Sequence, residues 1–107
     1  MPTLTRQQMI EKAKNKARAL STGALITSLL KLDADIAIER PRAIETQDFD
    51  QCQALTLTRS WVIQVLEERY PAAEAAVGNA FEAAEATGED IDYTATLIAA
   101  IPASERL

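Results

Sequence analysis

Apolar residues in this chain recur at intervals of three and four with polar residues between them, so the sequence reads as a series of helices. Met9, Ile10, Ala13, Ala17 and Leu20 form a narrow stripe on a first helix that starts after Thr3 or Thr5 and runs to about Arg18. Ser21 reads as the N-cap of a second helix whose face is Leu25, Leu29 and Leu32, with Ile36 continuing the spacing. Pro41 has no N–H to give, so it is expected to stop that helix, leaving residues 41–47 as a loop.

Asp48 is the cap candidate for the longest periodic segment, about residues 49–69. At about 100° per residue, Cys52, Leu55, Val62, Ile63, Leu66 and Tyr70 fall on one side, and Ala54, Leu57, Trp61 and Val65 fall nearly opposite. Two apolar stripes need two partners. The Ala54, Leu57, Trp61 and Val65 stripe is therefore the candidate interface, facing a second copy in a homodimer or another protein. The competing expectation is that the first and last helices cover Trp61 within the chain.

Pro71 is placed to open a fourth helix and Gly88 to end it, giving residues 71–87 with an alanine-rich stripe and Phe81 as its large anchor. Asp90 or Asp92 caps a short last helix through Ile101, Pro102 ends it, and residues 103–107 are expected to fray. The pattern thus predicts an all-α fold: a compact bundle of four to five helices around the central helix. It forms a single domain over residues 1–107, with the basic first helix at its periphery.

Composition narrows the chemistry. The 107 residues suffice for one modest core, and 48% hydrophobic with 25% charged residues is a globular balance. Histidine is absent, which removes imidazole bases, Ser-His and Cys-His pairs, and His-ligated metals. Cys52 is the single cysteine, so an internal disulfide and a thiolate zinc site are excluded. No glycine-rich phosphate loop occurs, and Asp33 and Asp35 lack the remaining ligands of a calcium loop. No catalytic residue, cofactor site or metal site is expected, and the chain reads as non-enzymatic. The longest uninterrupted apolar run, residues 97–101, is far short of the roughly 20 residues needed to cross a bilayer. The expected setting is cytoplasmic, without a membrane partner.

Charge changes the picture by region. The net charge of −5 conceals a basic head, with six Lys and Arg against Glu11 alone in residues 1–31, and an acidic tail, with nine acids against two arginines in residues 67–107. Lys12, Lys14, Lys16 and Arg18 form the candidate basic patch. Head and tail are expected to neutralise each other by packing together, or to pair between subunits. Arg59 breaks a local rule, because its position lies within the apolar side of the central helix. A carboxylate should accompany it there, with Asp33 favoured over Asp35 and Glu39 as partner in a buried ion pair.

At LTRSWVIQVLEERYP, residues 57–71, the sequence resembles short helical proteins of unknown function from actinobacteria and their phages and plasmids. The resemblance covers this helix and the ALITSLLKLD segment before it, and brings no catalytic residues. It implies an origin on a mobile element or in a phage-like genome. Two readings of function follow: a non-enzymatic helical interaction or accessory protein, or a small DNA-binding regulator using the basic first helix. The negative net charge and the spread of the basic residues over more than one face weigh against nucleic acid as partner.

Overall fold

In the computed structural model, which describes residues 3–107, local signals in the sequence set most helix ends. Thr5 caps α1 (Arg6–Arg18) with a full capping box, its side chain accepting from the Gln8 N–H while the Gln8 side chain accepts from the Thr5 N–H. Ser21 Oγ accepts from the Ala24 N–H and opens α2 (Thr22–Thr46). Proline at its first position starts α4 (Pro71–Thr87), and Gly88 closes it at φ 75°, where the absence of a Cβ removes the steric cost. Asp92 caps α5 (Tyr93–Ala100) through the Ala95 N–H.

Two boundaries differ from expectation. Pro41 lies inside α2, which continues to Thr46 instead of giving way to a loop. The hydrogen bond that Pro41 cannot make would go to the Ala37 carbonyl. Both residues are on the exposed side of the helix, where water is available to that carbonyl. Asp48 is not the N-cap of α3 (Asp50–Arg69); Phe49 holds that position without a side-chain bond, and Asp48 supports the start by accepting from the Asp50 N–H at 3.2 Å. With five α-helices and no strand among the described residues, the fold is all-α.

One apolar cluster joins all five helices: Ala17 from α1, Leu25, Ile26 and Leu29 from α2, Val62, Ile63, Val65 and Leu66 from α3, Ala73 and Val77 from α4, and Leu97 and Ile101 from α5 and its end. These α3 residues all lie in its C-terminal half. Residues 37–58, the far half of α2, the connecting turn and the near half of α3, have Ala43 as their one buried side chain, and Asp92 reaches this stretch in a hollow it lines with Ala37, Arg40 and Thr56.

The segment expected to fray is structured. Residues Ala103–Glu105 form a 3-10 turn, and Arg106 folds back to donate from Nε to the Ile101 carbonyl at 2.8 Å and from Nη2 to the Ala99 carbonyl at 3.1 Å. This brings the backbone of Leu107 against the start of α2, where a Cβ on Gly23 would lie 2.3 Å from the Leu107 carbonyl carbon. Hydrogen at Gly23 is thus what admits the tail. Gly23→Ala is expected to cost about 1–3 kcal/mol through this overlap and to lower Tm, with faster amide exchange in residues 103–107. A Tm equal to or above that of the parent would show that the tail yields without loss.

A lysine-rimmed groove and the polar contacts that frame it

Helix α1 lies along α3 because its small residues permit close approach and its charges find partners there. Ala17 is buried against the core. Glu68 receives a two-point contact from Arg18, with Nε donating to Oε2 at 3.1 Å and Nη2 to Oε1 at 3.0 Å, and Lys14 Nζ approaches Oε1 at 3.2 Å. Arg18 Nη1 also donates to Asn15 and Glu11 of its own helix. The hydrogen bonds from Arg18 and then Lys14 hold the Glu68 carboxyl at about 2, below its ordinary 4.5, and the Glu68 and Glu11 contacts raise Arg18 further. The candidate basic patch is therefore divided: Lys14 and Arg18 are engaged by an acid of the C-terminal part of the chain, whereas Lys12 and Lys16 are exposed.

Arg69 completes the joint. Its Nη2 donates to the carbonyls of Arg18 and Leu20, at 2.8 and 2.6 Å, so the end of α1 is capped from the end of α3. Next to it the hydroxyls of Thr22 and Tyr70 share a hydrogen bond of 2.9 Å. No sequence pattern singled out Arg69. The one available signal was that both partners end at the same level of the bundle.

This docking decides the fate of the candidate interface. Val65 is fully buried in the monomer core and is not part of a free face. Trp61 is half-buried, while Ala54 and Leu57 are exposed, Leu57 by 53%. The stripe expected to meet a partner along its length is thus covered at its C-terminal end by α1. A groove of about 610 Å³ remains between α1, α2 and α3. Trp61, Leu32, Ala17 and Leu20 give it an apolar lining, and its charged lining residues are Lys16, Lys31 and Asp35.

The opposite side of α3 carries a polar knot. Arg59 Nε donates to Asp33 Oδ1 at 2.6 Å, Arg59 Nη2 to the Thr94 hydroxyl at 3.1 Å, and that hydroxyl donates to Asp33 Oδ2. Thr94 is buried, but the Arg59 and Asp33 side chains remain 27% and 33% exposed, so the pair sits at the margin of the core and not within it. The Arg59 guanidinium also lies 6.0 Å from the centre of the Tyr93 ring, which packs at 5.5 Å against Phe81. Tyr93 donates its hydroxyl to Glu67, and burial followed by that acceptor raises its pKa to about 12. Thr94 and Tyr93 were not anticipated, since a threonine and a tyrosine on a short helix carry no pattern of their own. The knot ties α2, α3 and α5 together. No buried side-chain nitrogen or oxygen among the described residues is left without a hydrogen-bond partner. Among the described residues no cluster of His, Cys, Asp and Glu is arranged to hold a metal.

Two outcomes test these contacts. Arg59→Met should be tolerated better than Asp33→Ala, because the latter leaves a guanidinium and a buried hydroxyl without their acceptor. At this exposure the difference should be about 1–2 kcal/mol in chemical denaturation, and equal losses would show that the acceptor is replaced by water. The depressed Glu68 carboxyl contributes fully above its ordinary 4.5 and loses that contribution as the pH falls toward 2. Amide exchange in α1 should accordingly rise several-fold over that window and at high salt, and Glu68→Gln should reproduce the rise at neutral pH. An α1 indifferent to all three is held by its apolar contacts alone.

No known protein family, curated protein or solved structure matches this chain.

Proposed function

We propose that this protein is a non-enzymatic helical interaction module that takes up an acidic amphipathic helix of another protein in the groove between α1, α2 and α3. The observation that carries the reading is the coincidence of an apolar lining at Trp61 with two lysines, Lys16 and Lys31, against one acid, Asp35. Neither lysine has an ion pair among the described residues. A ligand helix with apolar residues at helical spacing would bury them over Trp61 and Leu32, and flanking carboxylates would meet the two ammonium groups. Aromatic side chains serve such sites because one ring buries a large area at little entropic cost.

The DNA-binding alternative needs a concentrated basic surface on α1. Engagement of Lys14 and Arg18 by Glu68 reduces that surface to Lys12, Lys16 and the more distant Arg6, which favours the protein partner.

Trp61 is the only tryptophan and reports directly on the groove. A designed acidic amphipathic peptide is expected to shift its emission on binding, and the paired substitutions Lys16→Glu and Lys31→Glu to weaken binding at least tenfold without loss of helical dichroism. A scrambled peptide of the same charge should not bind. Should duplex DNA bind instead, with affinity falling steeply as salt rises, α1 is the functional surface and the groove reading fails.

A further inference from the structure

We infer that α1 is a lever over the groove: pinned at its C-terminal end, it swings its N-terminal half toward α2 and closes Met9 and Arg6 onto the acidic helix bound at Trp61. This closure presupposes the groove reading, to which it adds two ligand contacts and a motion.

Helix α1 is held at one end only. Ala17 is its single buried residue. Among the described residues, the hydrogen bonds and ion pairs that join α1 to other helices belong to Lys14, to Arg18 and, through Arg69, to the carbonyls of Arg18 and Leu20. Residues 6–13 take part in none of them, and of these only Ile10, Glu11 and Ala13 are half-buried. The groove stays open because α1 packs on α3 and has no comparable contact with α2.

The face that α1 turns to the groove continues past the groove. Its lining residues there are Ala13, Lys16, Ala17 and Leu20, one helical face. At about 100° per residue, Met9 and Arg6 each fall within about 30° of the centre of that face, one and two turns nearer the N-terminus. Neither lines the groove as it stands, Met9 is 52% exposed, and Arg6 has no ion pair among the described residues. An exposed methionine alone is ordinary. This one extends an apolar row of the groove wall, beside a cation, on the unpinned end of the helix, and a flexible thioether adapts readily to a new surface.

A small motion suffices. Met9 lies about 14 Å along the axis from Arg18, so a turn of about 20° at the pinned end carries it roughly 5 Å. The Glu68 and Arg69 contacts sit near the pivot and move far less. A ligand shifts such an equilibrium only through contacts that it makes in one position and not in the other. Met9 over the apolar row of the bound helix, and Arg6 against one of its carboxylates, are contacts of the closed position alone.

The test uses the full chain and the designed acidic peptide, with Trp61 emission reporting occupancy of the groove. Met9→Ser should raise the dissociation constant roughly fivefold, and Arg6→Gln should raise it and reduce its dependence on salt, both at unchanged Tm because both side chains are exposed. Leu30→Ser, equally exposed at 52% but on the outer side of α2, should leave binding as it was. In Cys52→Ser protein carrying spin labels at positions 7 and 34, saturating peptide should shorten the interlabel distance by several ångströms. Peptide binding at Trp61 that is indifferent to Met9→Ser and Arg6→Gln, at a fixed interlabel distance, overturns the lever and leaves the groove reading standing. A lengthened distance also overturns it, because the ligand then pushes α1 aside. Absence of any Trp61 response removes the groove reading and the lever with it.

Discussion

The 20 residues of α3 extend about 30 Å, whereas α1 and α5, with 13 and 8 residues, extend only about 20 and 12 Å, and the architecture follows from that shortfall. Both short helices, together with the start of α4, gather on the C-terminal half of α3, where Val62, Ile63, Val65 and Leu66 offer apolar atoms on nearly every side. α1 and α5 are too short to accompany α3 to its other end, which α2 alone follows. A small chain thus divides into a well-packed body and a two-helix extension, although no linker separates them. The division comes from the shortness of α1 and α5 and from α4 joining the core only near its start, at Ala73 and Val77.

Charge then acts at the edges of this arrangement. Glu68 orients α1 by accepting from Arg18 and Lys14, and the Arg59, Asp33 and Thr94 knot fixes the level at which α5 meets the hairpin. Both sets of contacts are partly exposed, so each is worth little in isolation. Their effect is geometric: they choose among ways of sliding short, alanine-containing helices along α3 that would bury similar areas. The groove at Trp61 is a product of that choice, since it lies where α1 stops covering the stripe and where the lysines not engaged by Glu68 remain.

Much of the helical layout was legible in the sequence because its signals are local. Ser21, Pro71 and Gly88 act within a turn of themselves and mark the ends they were expected to mark, and the structure takes Thr5 over Thr3 and Asp92 over Asp90 as caps. The choice of Asp33 as neighbour of Arg59 followed from the angle of each on its helix. Angle is not height, however. A helical wheel grouped Val65 with Leu57, although α1 reaches the level of one and not the other. Pro41 misled for a related reason: the rule that proline ends a helix presumes that the lost hydrogen bond matters, and on a wet face it matters less. Contacts made by backbone carbonyls, such as those of Arg69 and Arg106, leave no residue-type pattern in their acceptors and stayed invisible.

Those two arginines have a consequence for how the molecule loses its structure. The C-terminal end of α1 is closed by Arg69, from about fifty residues away in sequence, and the end of α5 by Arg106, from a turn that exists only when the tail is folded back. Local backbone bonds from Ala19, Leu20 and Ile101 close part of each end, and the two arginines satisfy further carbonyls from outside the helix. As peptides, both would be short and open at one end, below the length at which isolated helices persist in water. Their order depends on the tertiary fold, so both helices are expected to be lost together with the packing of the body. The two-helix extension, whose turn is held by the neighbouring contacts of Gln47 and Asp48, has no such long-range cap and is expected to open at lower cost than the body.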